Sequence, residues 1–398
     1  MFIVAAPDKQ AHAEGIFDLV AEQWRDDLRE QCREGRIFHS HYDWRTSRVG
    51  LVDGKVVTHF GVYDLTVRVG SARVAAAGVN LVVTHPDYRK QGLMPKTIWS
   101  SIEAMRDRGY DISIVANAVE NYYERFGWRA AWPETHYYIA PESLPNEKPD
   151  VRLRKWNTRS RPALAALYNA ENSELTGTAL HPTFLRTKEP GELTGHLMLD
   201  NEGNTVGYII YDVLQGGKVL WHYESAGDPT ERLRALAAVS RKLEAEELRF
   251  NRLHYNSPLA RKLRTLDCYS ETKYNPSGGW MIQIINLRTL FEKLLPELSL
   301  RISRSHLTTW RGKLRIATRT ERITLLIDRG AMSLADAGDH ADAEHAIDGG
   351  EEIALLVMGT ESAGVTTASA GTSLKGHGAE LAEALFPRQY PQMGNSDL

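Results

Sequence analysis

One stretch of this chain restricts the possible folds more than any other. Val79-Asn80-Leu81-Val82-Val83 has the apolar, β-branched character of a central strand. Further on, Met94, Ile98, Ile102 and Met105 recur at helical spacing, with Pro95 tolerated in the first turn, Arg106 and Arg108 suited to the negative end and Gly109 as a stop. Between strand and helix lies the basic turn Thr84-His85-Pro86-Asp87-Tyr88-Arg89-Lys90-Gln91-Gly92-Leu93. Such a turn offers unpaired backbone N–H groups and the positive end of a helix dipole to whatever sits in front of it, which suits an anionic phosphate. Arg89 and Lys90 add charge, and Gly92 lets a ligand approach the backbone closely. The plain alternative is an ordinary connection with solvated basic side chains.

A second signal follows. Residues 112–115 read as a short buried strand, Ala116-Asn117 as a polar turn, and residues 119–126 as a short helix ended by Gly127. Within Asn121-Tyr122-Tyr123-Glu124-Arg125-Phe126-Gly127-Trp128, a tyrosine four residues before the glycine is able to face a cleft between neighbouring strands. There its phenol can protonate a leaving group of similar basicity, such as a thiolate. Packing on an amphipathic face is the other use of such a ring.

Strand, Arg89-x-x-Gly92, helix, strand and then Tyr123-x-x-Phe126-Gly127 resembles the acetyl-CoA site of the GNAT acetyltransferase superfamily. Arg89-Lys90-Gln91-Gly92-Leu93-Met94 with Tyr-x-Arg-Phe-Gly-aromatic resembles, more narrowly, the enhanced intracellular survival (Eis) branch. The sharp match covers roughly residues 45–135; Met94 departs from the Gly or Ala usual in the wider superfamily. The resemblance implies an α+β fold of tandem GNAT units, mixed sheets flanked by helices, plus a sterol-carrier-protein-like α+β domain. Its expected domains are residues 1–140 (catalytic), 150–285 (degenerate) and 286–398 (sterol-carrier-like, with a tail entering the active site). It further implies that backbone groups of Val82, Val83 and Thr84 take the pantetheine arm of acetyl-CoA as an added strand. N–H groups from Arg89, Lys90, Gln91, Gly92, Leu93 and Met94 would hold the pyrophosphate. Tyr123 would be the acid toward the coenzyme A thiolate, with Tyr122 the rival lacking the spacing. The carboxylate of Leu398, where family members often carry an aromatic residue, would activate the acceptor amine, a water-linked carboxylate of the first domain being the fallback. The acceptor implied is a polyamine-like or aminoglycoside-like cation or a lysine, and the assembly implied is a homo-oligomer such as a hexamer.

Composition agrees. The 398 residues, 42% apolar, suffice for two or three cored domains. A net charge of −3 gives no general affinity for nucleic acid or an anionic membrane, so phosphate binding must be local. Cys32 and Cys268 stand far apart, which argues against a disulfide framework and for a reducing compartment. The opening Met1-Phe2-Ile3-Val4-Ala5-Ala6 lacks a basic flank and reads as a first strand, and no apolar run is long enough to span a bilayer. The expected location is the cytoplasm.

Elsewhere, residues 10–34 read as an amphipathic helical region with Ile16, Val20, Trp24 and Leu28 on one face. Asp53-Gly54 and Gly70-Ser71 read as turns, and Pro141, Pro145 and Pro149 as a linker. The middle segment repeats the plan: strands at 206–213 and 218–223, a helical stripe of Leu233, Leu236, Val239 and Leu243, a strand at 253–255 and a helix at 258–266. Asp228 and Glu231 form a capping-box-like pair there, putting negative charge where a pyrophosphate would sit, so no coenzyme A is expected in this half. Past residue 286 come a helix around Leu287 to Leu295, strands at 314–317 and 323–327, helices at 353–359 and 379–385, and a stiff tail containing Pro387 and Pro391. Trp24, Asp26 and Asp27, with Glu30 and Glu34, are candidates for drawing a cationic amine to the cleft, against the plainer reading of a solvated face. His39-Ser40-His41 lacks a third ligand at useful spacing, so no metal is expected. The rival functions are a hydrophobic-ligand carrier and a regulatory scaffold, each with a vestigial acetyltransferase site; coenzyme A binding separates them from the enzyme.

Overall fold

A computed structural model describes residues 1–24, 28–33, 41–117, 121–181, 193–274, 279–336, 343–369 and 371–395. The chain opens with β1 (Phe2–Ala5), α1 (Ala13–Gln23) and α2 (Leu28–Arg33), then the meander β2 (Arg48–Val52), β3 (Lys55–Val69) and β4 (Ala72–Thr84). The turns at Asp53-Gly54 and Gly70-Ser71 form as read, pairing Val52 with Lys55 and Val69 with Ala72. The basic turn leads into α3 (Leu93–Arg108), then β5 (Ile112–Asn117) and β6 (Arg129–Trp132). The α3 stripe of Met94, Ile98, Ile102 and Met105 is buried on Phe60, Val62 and Val79 of the sheet. At about 1.5–3 kcal/mol per buried large apolar side chain, that stripe holds the helix down.

The next elements are β7 (Glu134–Ile139), β8 (Arg152–Lys155), α4 (Arg161–Glu171), β9 (Thr194–Leu199), β10 (Thr205–Leu214), β11 (Val219–Ala226), α5 (Pro229–Leu243), β12 (Glu247–Asn251), α6 (Pro258–Leu263), β13 (Tyr269–Lys273) and β14 (Gly279–Ile284). Two seven-stranded sheets result, in the corresponding orders β1-β2-β3-β4-β5-β14-β6 and β8-β9-β10-β11-β12-β7-β13. The sixth strand of each is exchanged: β7 pairs with β12 and β13, and β14 with β5 and β6. The contiguous segments 1–140 and 150–285 therefore each give one strand to the other's sheet. The two compact units are Met1–Trp132 with Pro276–Gln389, and Pro133–Asn275 with Tyr390–Leu398.

The first unit also carries α7 (Leu287–Ser303), β15 (Arg311–Ala317), β16 (Arg322–Asp328), β17 (Ala331–Leu334), β18 (His345–Asp348), α8 (Ile353–Met358), α9 (Ala363–Thr367), β19 (Ser373–Lys375) and α10 (Gly378–Leu385). Its strands make a five-stranded sheet, β17-β16-β15-β18-β19. Helix α7 is tied to the first sheet by polar contacts. Glu297 accepts from the Ser71 N–H (3.0 Å), and the buried Asp111 accepts from Thr289 Oγ1 (2.8 Å) and the Ala75 N–H (2.7 Å) and pairs with Lys293.

Four local expectations are corrected. Helix α1 stops at Gln23, so Trp24 is its C-cap and is 47% exposed, off the buried stripe of Ile16 and Val20. The helix read at 119–126 is, among described residues, a single 3-10 turn at Glu124–Phe126 capped by Gly127; residues 118–120 lie outside the description. Residues 253–255 are not a strand: Arg252 adopts φ 52° and ends β12, and His254 Nδ1 accepts from the Asn256 N–H (3.0 Å), closing a turn. Glu231 does not complete a capping box, because its carboxylate accepts from the Asp150 N–H (2.7 Å) and pairs with Arg234 (2.7 Å).

Candidate active site

The cleft of the first sheet begins with a bulge. Strand β3 pairs His59 with Val83 and Gly61 with Asn80, so Leu81 and Val82 together face Phe60. One extra residue bends the strand. On its other side β4 runs parallel to β5 only from Ala76↔Ile112 to Val79↔Val115. Beyond Val79, the segment from Leu81 to Thr84 has no strand partner on the β5 side among the described residues. An edge of unpaired backbone groups is a template for an added strand or a peptide-like chain.

That edge runs into the basic turn. Pro86–Tyr88 make one 3-10 turn, Lys90 and Gly92 adopt φ 60° and 72°, and Gly92 is the N-cap of α3. Lys90 thus holds a backbone conformation that costs a non-glycine residue ~1 kcal/mol or more. Lys90, Gln91 and Gly92 are exposed, and a Cβ on Gly92 would meet nothing within 4 Å. Leu93 and Met94 are buried, so they contribute backbone rather than side chains to the open face. Arg89 is anchored: its Nε donates to the Thr84 carbonyl (3.1 Å) and its Nη2 to Gln23 Oε1 (2.6 Å). The end of α1 therefore reaches the basic turn through Gln23, beside Trp24. Asp26, Asp27, Glu34, His39 and Leu398 lie outside the described residues, and no group of three metal-ligating side chains occurs among the described ones.

Tyr123 sits at the start of the 3-10 turn, 6% exposed. Its ring lies edge-on to Trp128 (5.9 Å) and Tyr122 (5.2 Å). It belongs to the same cluster as Val79 and Val115, the last paired rung of β4 and β5, with Val82 packed against it. The structure thus places Tyr123 in the same hydrophobic cluster as that rung. Burial pushes its phenol well above the usual tyrosine range, so the group stays protonated at neutral pH. The residues that sequence reading missed are His59, Asn80 and Leu81, which shape the bulge; the pair His59 and Gly61, flanking a phenylalanine within a strand, was the available signal.

The second sheet has the same bulge and fills it differently. Ile210 pairs with Glu224 and Tyr211 with His222, leaving Tyr223 as the extra residue, and β11 stays parallel to β12 only as far as His222↔Phe250. Past that rung Asn395 bridges the two strands: its Nδ2 donates to the Tyr223 carbonyl (3.0 Å) and the Asn251 carbonyl (3.1 Å), and Tyr223 Oη donates back to its carbonyl (3.1 Å). At the adjacent helix start, Asp228 Oδ1 accepts from the N–H groups of Thr230 and Glu231 (2.9 Å each). The gap holds the chain's own tail, and a carboxylate satisfies the helix end.

Burial leaves several histidines neutral, which sets a pH dependence. It lowers His59 to about 4, His222 to about 3 and His254 to about 4. Their unfolded values lie near 6.5, so acidification protonates the unfolded chain first, and stability present above about pH 6.5 is lost on the way to about pH 4. The expected slope is up to ~1.4 kcal/mol per pH unit for each histidine, while Glu171, raised by burial, works the other way. Urea midpoints at pH 7.5 and 5.0 check this; equal midpoints would mean that these rings are not buried neutral.

Residues 7–131 match the family described as acetyltransferase (GNAT) domain. That segment, under half of the chain, thus has the fold of a GNAT domain. No curated protein matches the chain by sequence. Among solved structures, a protein from Enterococcus faecalis V583 described as a probable N-acyltransferase is similar at TM-score 0.77 and 15% identity, covering 99% of each chain. A GCN5-related N-acetyltransferase from Anabaena variabilis is similar at 0.75 and 14%, covering 99% of each. Eis1 from Mycobacterium abscessus is similar at 0.69 and 13%, covering 100% of each. At these identities the likeness shows the fold, and it extends beyond the GNAT domain to the whole mixed α+β architecture.

Proposed function

We propose that this chain is an acetyl-CoA-dependent N-acetyltransferase that acts on a primary amine. The carrying observation is the β4 edge at Val82–Thr84, which has no strand partner on the β5 side among the described residues and continues into an open helix N-terminus flanked by Lys90 and Gly92. That combination fits a peptide-like arm ending in a pyrophosphate, and the GNAT match over residues 7–131 supports it. Acetyl-CoA supplies the activated thioester. N–H groups of residues 90–94 and the Lys90 ammonium hold the anion, and the backbone of Val82 with the Thr84 N–H orients the arm and donates to the thioester carbonyl. Attack by the amine on the carbonyl carbon breaks the C–S bond. Tyr123, kept protonated by burial, donates to the departing sulfur. The proton shed by the amine passes to a carboxylate, that of Leu398 or a water-linked one in the GNAT domain.

The acceptor in this reading is a polyamine-like or aminoglycoside-like cation or a lysine side chain, and the protein assembles as a homo-oligomer. Residues 286–398 are read as a sterol-carrier-like module whose α7 braces the first sheet through Glu297 and Asp111. Titration calorimetry should find one acetyl-CoA site per chain, and thiol release should depend on an added amine. Binding of an acyl ligand without any binding of coenzyme A would replace this reading by the carrier.

A further inference from the structure

We propose that His59 is a positioning residue of the acyl-transfer site: it holds open the β4 bulge that creates the donor cleft, with Tyr42 and Gly61 as its supports. This rests on the reading of the Val82–Thr84 edge as the donor site. Leu81 adopts φ 54°, a left-handed conformation that a non-glycine residue keeps only when its surroundings impose it. Both of its peptide groups are held. Its N–H donates to Asn80 Oδ1 (2.8 Å), and its carbonyl lies 2.7 Å from His59 Nδ1.

A carbonyl only accepts, so Nδ1 carries the ring proton, Nε2 is the acceptor, and the Tyr42 hydroxyl, 2.7 Å away, donates to it. The fully buried ring is therefore held as one neutral tautomer. Its depressed pKa, caused first by burial, agrees with that state. Tyr42 is fixed in turn by edge contacts to Trp44 (4.7 Å) and Tyr63 (5.4 Å). Space for the arrangement comes from Gly61, where a Cβ would stand 2.6 Å from the Asn80 carbonyl oxygen and 3.0 Å from His59 Cε1.

The lock acts where the cleft starts, because pairing with β5 ends at Val79↔Val115, two residues before Leu81. Without the imidazole, the Leu81 carbonyl loses its partner and the strand is free to drop the extra residue. A one-residue slip exchanges the faces of Val82, Val83 and Thr84, removing the edge that takes the donor arm.

The test compares His59→Leu with His59→Asn in the full chain; the asparagine amide can still donate to Leu81, whereas leucine cannot. His59→Leu should raise the KM for acetyl-CoA at least about ten-fold and speed amide exchange across residues 80–84, and His59→Asn should recover most of both. Wild-type KM and exchange in His59→Leu would overturn the proposal. Should His59→Leu fail to fold, Gly61→Ala is expected to raise the KM in the same way, and an unchanged KM there would equally overturn it. Imidazole nitrogen shifts in the free wild-type protein need no ligand: an Nδ1–H tautomer supports the lock and an Nε2–H tautomer refutes it. A wild type with that tautomer but no affinity for acetyl-CoA would sink the functional reading and leave the lock standing.

Discussion

Tyr123→Phe should lower kcat for acetyl transfer by about a hundred-fold or more, with the KM for acetyl-CoA within about two-fold of wild type, since a positioned proton donor contributes ~10²–10⁴ in rate. The split follows from position. Tyr123 shares one cluster with Val79 and Val115, while the groups proposed to bind the anion are backbone N–H groups at the start of α3. Removing one hydroxyl from a ring packed on Trp128 and Tyr122 leaves the apolar contacts intact, so the thermal midpoint should hold. Because burial raises the phenol's pKa, loss of the wild-type rate through ionisation of Tyr123 is expected only well into the alkaline range. Tyr122→Phe is the control: Tyr122 is partly buried and carries Arg125 over its ring at 4.4 Å. Full turnover in Tyr123→Phe across the pH range would remove it from the chemistry.

Truncation after Gln389 should destabilise the second unit by at least about 4 kcal/mol, since loss of a buried Met side chain alone costs ~2–5 kcal/mol and each orphaned buried polar group ~1–3 kcal/mol. Met393 is fully buried and Gln392 is 3% exposed. Tyr390 stacks on Tyr255 at 4.5 Å, and the Gln392 N–H donates to the Thr176 carbonyl (3.2 Å). Without Asn395 the strand gap between β11 and β12 opens, and the carbonyls of Tyr223 and Asn251 lose its amide. For a unit of this size the drop corresponds to a fall of roughly 10 °C in Tm, readable by calorimetry. Asn395→Ala should reproduce about 1–3 kcal/mol of it. An unchanged melting profile on truncation would mean that the tail is not part of the second unit in solution.

Most elements were legible because their signals are local. The stripe of Met94, Ile98, Ile102 and Met105, the stop at Gly109 and the turns at Asp53-Gly54 and Gly70-Ser71 are each written within a few residues, and each formed as read. The loop that precedes α3 was legible for the same reason, since Arg89 to Gly92 make their own turn at their own helix start. Trp24 and residues 253–255 misled because a periodic stripe does not say where a chain stops obeying it.

Local order along the chain accounts for the elements, the basic turn and the tyrosine that follows it. Folding in three dimensions decided which sheet receives β7 and β14, that Leu81 is the extra residue His59 locks in place, and that Asn395 closes the second gap while no described residue fills the first. Each of these depends on partners distant in sequence: His59 and Leu81 are 22 residues apart, and Asn395 and Tyr223 are 172 apart. Strands with similar apolar patterns fit more than one sheet position, and only the register reached when all of them pack together selects among those positions.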